Sequence, residues 1–138
     1  MSDKIEYKIK HMELIQGIIT RMASNSFSLK GWTVTIVTGI FILTAKDKLY
    51  SYFLISYTPT ILFWFLDAYY LTLERRYRCL YRTVSMNTTC DLSFKLTPPK
   101  GNKQDKTLYI QSLFSLTEFG FYVPLAVLIV LIALPSPL

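Results

Sequence analysis

Hydrophobic and polar positions along this chain fall into long blocks, not the short alternations of a soluble domain. Over residues 3–24, Ile5, Ile9, Met12, Ile15, Ile19 and Met22 recur at steps of three and four, while Lys4, Lys8, Lys10 and Glu13 take other faces. That spacing predicts an amphipathic helix. The polar residues 23–26 (Ala-Ser-Asn-Ser) offer a helix end and a fresh N-cap. A short, β-branched apolar block over 28–45 reads as a first membrane span, with Lys30 and Trp32 at its start as interfacial anchors.

After the tight turn at 46–48, residues 49–73 read as a second span. It includes an uncharged run of 18 positions from 49 to 66, with Pro59 near the middle where a kink is expected. The helical pattern continues into water to about residue 85. A third span over 118–134 lies in the uncharged run of 20 positions from 119 to 138; a helix over 107–117 leads into it, and Pro135 and Pro137 end it. Such runs match the ~20 helical residues that cross a hydrocarbon core. In the loop at 86–107, Cys90, Leu92, Phe94 and Leu96 alternate with Asp91, Ser93, Lys95 and Thr97, which is strand periodicity. One strand cannot stand alone in water, so it requires a partner within the loop or in another subunit. The fold class expected is an all-α membrane protein of one domain: three transmembrane helices, an amphipathic N-terminal helix and a short strand-bearing cytoplasmic loop.

Composition strengthens the membrane reading. Charged residues make up 17% of the 138 positions, against about 25% in soluble domains. The 15 lysines and arginines also set an orientation. Five lie up to Lys30, two in the first loop, eight in the second loop and none after the third span. The positive-inside rule then places the N-terminus and second loop in the cytoplasm, and the C-terminus outside. With that topology the net charge of +6 is explained by attraction to anionic lipid, and no nucleic-acid partner is expected. The sequon at 87–89 faces the cytoplasm and is incidental, and Cys79 and Cys90 are ordinary reduced thiols.

Candidate chemistry narrows to a few charges. Asp67 sits seven residues inside Glu74, and a charge at such depth costs about 2.5–3.5 kcal/mol against lipid. Antiparallel packing of three spans brings Lys30, Asp67 and Glu118 to one depth, forming an intramembrane charged layer. That layer is either an ion or proton site or a charged gate at a pore mouth, such as a carboxylate ring in an oligomer, or else a buried ion pair or an Asp67 hydrogen bond to Lys30, Tyr70 or a serine that locks the bundle. Arg75, Arg78 and Arg82 share one face of the helical extension, with Glu74 positioned to pair with Arg78. His11 is the sole histidine and reads as a surface residue. No HExxH, GxSxG, P-loop or GxGxxG is present, so no enzyme, metal or cofactor is expected.

Two stretches carry a resemblance: NSFSLKGWTVTI from Asn25, and FWFLDAYYLTLERRYRCLY from Phe63. Together they resemble a family of small, largely uncharacterised bacterial inner-membrane proteins with KGW and W-x-L-D-A-Y-Y-L-x-x-E-R patterns. The matching positions are Lys30, Gly31, Trp32, Trp64, Leu66, Asp67, Ala68, Tyr69, Tyr70, Leu71, Glu74 and Arg75. The resemblance covers about the first 85 residues; it implies a bacterial inner-membrane protein of three spans, its C-terminus then periplasmic or extracellular, and carries an expectation of anti-phage defence. The leading functional expectation is an oligomeric, channel-like protein that permeabilises the membrane as a defence effector. The alternative is a scaffold or accessory subunit recruiting a cytoplasmic protein partner. The lipid bilayer is a partner in either case. The unpaired strand and the amphipathic helix favour a homo-oligomer.

Overall fold

A helix persists while every N–H finds the carbonyl four residues back and no proline or competing side chain intervenes. Residues 2–46 contain no proline. The hydroxyls of Thr20, Thr33, Thr35 and Thr44 turn back onto carbonyls of their own helix at 2.8–3.0 Å, so these four polar β-branched residues are satisfied within the helix. The computed structural model describes residues 2–46, 55–86, 96–98 and 102–133. In it the first segment is one uninterrupted helix, α1 (Ser2–Lys46). The break expected at 23–26 is absent, because the Ser26 hydroxyl donates to Asp67 instead of capping a new helix. The amphipathic segment and the first predicted span are therefore one element. At about 1.5 Å per residue its 45 residues reach roughly 67 Å, about twice a ~30 Å hydrocarbon core.

A single 3-10 turn at 55–56 leads into α2 (Tyr57–Met86). Pro59 falls in the first turn of α2, where its missing N–H is one that no intrahelical carbonyl would have met. It therefore stands at the start of the described helix; residues 49–54, the part of the predicted span before it, lie outside the described residues. The extension past Glu74 is continuous to Met86, as expected. α3 (Asn102–Leu113) and α4 (Leu116–Ala133) replace the predicted smooth run from 107 into the third span, with a bend of 47° between them. At the break, Ser115 N–H bonds the Ser112 carbonyl at 3.1 Å and Phe119 N–H bonds Ser115 at 2.9 Å, so α4 restarts from Ser115. Pro124 lies within α4. No strand occurs among the described residues. The alternating segment lies mostly outside them, and residues 96–98 have no regular structure.

α1 and α2 run antiparallel, with Lys8 against Ser85 at one end and Ser26 against Asp67 midway. The Lys8 ammonium donates to the Ser85 carbonyl at 2.8 Å. It thereby supplies the positive charge that the last turn of α2 lacks. Between these two points Ile15, Ile19 and Leu80 form a small core, flanked by Tyr77, Tyr81, Val84 and Leu96. Only part of the predicted apolar stripe is used here: Ile5 and Ile9 are 58% and 52% exposed. α4 runs antiparallel to α2, with Tyr122 beside Asp67 and the Tyr57 hydroxyl on the Ala126 carbonyl at 2.8 Å.

Among the described residues one helix, over Ile5–Thr44, is long and apolar enough to cross a membrane. A second crossing is added if bent α3 and α4 count as one broken span. α2 as described (Tyr57–Met86) does not meet the same measure. Three crossings thus exceed what helix length and composition alone support.

Candidate functional site

Lys30 lies midway along α1, Asp67 ten residues into α2 and Glu118 in the first turn of α4. Antiparallel packing brings all three together. The Lys30 ammonium bonds Asp67 Oδ2 and, at 3.0 Å, Glu118 Oε1. The expected interfacial anchor has therefore turned inward. Its side chain is 15% exposed, whereas both carboxylates are fully buried. Trp32, the other predicted anchor, stays exposed.

Neighbouring turns complete the cluster. Ser26, one turn before Lys30, donates to Asp67 Oδ1 and receives a weaker 3.4 Å contact from the ammonium. Tyr122, one turn after Glu118, donates to Asp67 Oδ2 at 3.2 Å. The Lys30 ammonium also stands 5.9 Å from the ring centres of Phe121 and Tyr122, a favourable cation–π distance. Asp67 thus receives donors from α1 and α4 on both oxygens, as a buried carboxylate requires. Ser26 and Tyr122 escaped the sequence reading. The helical spacing Ser26–Lys30 and Glu118–Tyr122 was the available signal.

Glu118 is less well served. With Ser115 it spells S-x-x-E, the pattern in which a glutamate folds back on its own helix start. Here the Ser115 N–H bonds Ser112 instead, and the Glu118 carboxylate extends to Lys30. Its Oε2 is buried with no hydrogen-bond partner among the described residues, as is the Ser115 hydroxyl.

An aromatic layer fixes α2 against the α3–α4 bend. Trp64 stacks on Tyr122 with centroids 6.3 Å apart and meets Phe114 edge-on. Its indole N–H bonds the Leu113 carbonyl at 3.2 Å, filling an acceptor that the end of α3 frees. The Tyr109 hydroxyl reaches the Phe65 carbonyl at 3.1 Å.

The arginine face is also formed. Tyr77, Leu80, Tyr81 and Val84 pack toward Ile15 and Ile19, so Arg75, Arg78 and Arg82 lie on the opposite side of α2. Arg78 and Arg82 are exposed and Arg75 is half-buried. Arg78 pairs with Glu74 at 2.7 Å, as the spacing predicted. His11 is half-buried, not on the open surface, and Cys79 is exposed; Cys90 and the sequon lie outside the described residues. No group of three or more metal-ligating side chains occurs among the described residues. No family model, curated protein or solved structure matches the chain.

Proposed function

We propose that the chain is a three-crossing protein of a bacterial inner membrane, N-terminus in and C-terminus out, that anchors a scaffold for a cytoplasmic protein. Membrane residence is supported by what the apolar helices leave uncovered. Only 11% of the candidate span in α1 is buried within the chain, unlike the core helix of a soluble protein. Ile42, Leu43, Ile61, Leu62, Phe65, Val127 and Leu131 all face outward from α1, α2 and α4, a belt suited to lipid or to further copies of the chain. On this reading the apolar half of α2 is the third crossing, its Asp67 neutralised within the bundle.

The scaffold role rests on the stem. Beyond Asp67, α2 continues for 19 residues, roughly 28 Å at 1.5 Å per residue. It is held to α1 by its own small core and turns Arg78 and Arg82 outward. Their charge suits an acidic protein surface. Photo-crosslinking from positions 78 and 82 in cells tests this. The expected result is an adduct with a cytoplasmic protein that disappears on Arg78→Glu/Arg82→Glu and is not seen from lipid-facing position 62. Adducts with lipid alone would refute the docking role.

The second reading is an oligomeric pore or membrane-permeabilising effector of anti-phage defence, favoured by the uncovered apolar flanks. Asp67 is satisfied within one chain, so a conducting path would be lined by other side chains. Ion or dye leakage from liposomes holding purified protein tests this reading. Vesicles that stay tight, with no change in survival of phage challenge on deletion of the gene, would exclude it.

A further inference from the structure

The cluster on Lys30 contains one ammonium and two carboxylates, all contributed by a single chain. Fully ionised, it carries a net charge of −1, with both carboxylates fully buried and only the ammonium partly exposed. An uncompensated charge in such surroundings costs several kcal/mol, so a counter-charge or proton is favoured there. The hydrogen bonds make the same point. An ammonium has three donors, and those of Lys30 go to Ser26, Asp67 Oδ2 and Glu118 Oε1. None remains for Glu118 Oε2, the buried acceptor without a partner. The Tyr122 hydroxyl is already directed at Asp67. The two carboxylates converge on the one Lys30 ammonium, which holds them side by side.

We propose that the Asp67–Glu118 carboxyl pair holds one exchangeable proton beside the Lys30 ammonium, making this cluster a proton-binding site at the junction of stem and span. Uptake forms one O–H bond on the pair and takes the cluster from −1 to neutral, and no other bond breaks. The proton turns one of two facing acceptors into a donor for the other. The groups that face the pair are Lys30 and Ser26 from α1 and Tyr122 from α4; the titratable Tyr109 of α3 is committed to the Phe65 carbonyl. Loss of the proton leaves like charges between α2 and α4. Protonation therefore favours the docking of α4, and its release loosens that contact. The site is independent of the docking role, because it is built entirely within the chain.

Infrared spectroscopy of the full chain in lipid nanodiscs tests it, since the carbonyl stretch of a carboxylic acid is resolved from that of a carboxylate. One carboxylic-acid band is expected at neutral pH. It should shift in heavy water, vanish on alkaline titration, and be lost in Glu118→Gln or in Asp67→Asn, because the two share the proton. Both substitutions are near-isosteric, and the wild-type spectrum alone is decisive if either misfolds. A wild-type spectrum without the band at neutral pH overturns the proposal. So does a band that both variants retain.

Discussion

Replacing Lys30 with methionine keeps much of the side chain's volume and removes the single cation of the cluster. Asp67 retains Ser26 and Tyr122 as donors, but Glu118 is left with no donor from the cluster on either oxygen. Two buried carboxylates then face each other. Breaking a buried pair by removing one partner costs about 3–5 kcal/mol, which at about 1.4 kcal/mol per decade is a shift of about two to three and a half decades in the folding equilibrium. Glu118→Gln should behave oppositely. It leaves one ammonium with one carboxylate and provides an amide where the proposed carboxyl proton stands, so its cost should stay below about 1 kcal/mol. The double variant Lys30→Met/Glu118→Gln should recover part of the loss, since the carboxyl left without a donor is replaced by a neutral amide, giving a non-additive cycle. Helix content of the purified protein, followed through a denaturing-detergent titration in mixed micelles, measures all four proteins. Equal losses from Lys30→Met and Glu118→Gln would refute the idea that the cluster carries excess negative charge. A Lys30→Met protein as stable as the parent would refute the burial on which the reasoning depends.

Other perturbations address separate parts of the bundle. Ile19→Ala empties the small stem core and should cost about 2–4 kcal/mol. Hydrogen exchange should rise in residues 8–22 and 74–86, while 57–66 stay protected. Gly17→Ala should stabilise the stem by about 0.5–1 kcal/mol, because an added Cβ meets nothing within 4 Å and glycine is a poor helix former; a raised midpoint in thermal circular dichroism checks it. Trp64→Phe retains aromatic packing but leaves the Leu113 carbonyl without its indole donor. A loss of about 1–3 kcal/mol is expected, with increased exchange around the α3–α4 bend.

Much of the site was legible before any packing was known. Asp67 and Glu118 interrupt or border long uncharged runs, and Lys30 opens another, so the cost of isolated charge in apolar surroundings already required them to meet. The arginine face and the Glu74–Arg78 pair followed from helical spacing alone, because local geometry decides which residues share a face. The small stem core followed only in part. The stripe on α1 runs from Ile5 to Met22, yet the helix lying against it covers chiefly Ile15 and Ile19.

What the sequence by itself determined is helicity, the apolar character of the segments and the set of charges that had to be neutralised. Each depends on local propensity or on transfer from water, quantities carried by single residues and short windows. Tertiary structure alone decided where helices begin and end. Residues 23–26 could cap a helix or continue one, and the choice went to continuation because Ser26 found Asp67, 41 positions away. The pattern S-x-x-E at 115–118 could close on itself, but Lys30 drew Glu118 away, and Trp64 took up the Leu113 carbonyl left by the bend. The Trp64 indole met an acceptor 49 positions away, and Ser26 and Glu118 each had a local partner and a distant one. Burial favoured the distant one, because it neutralised a charge or filled an acceptor that water could no longer reach.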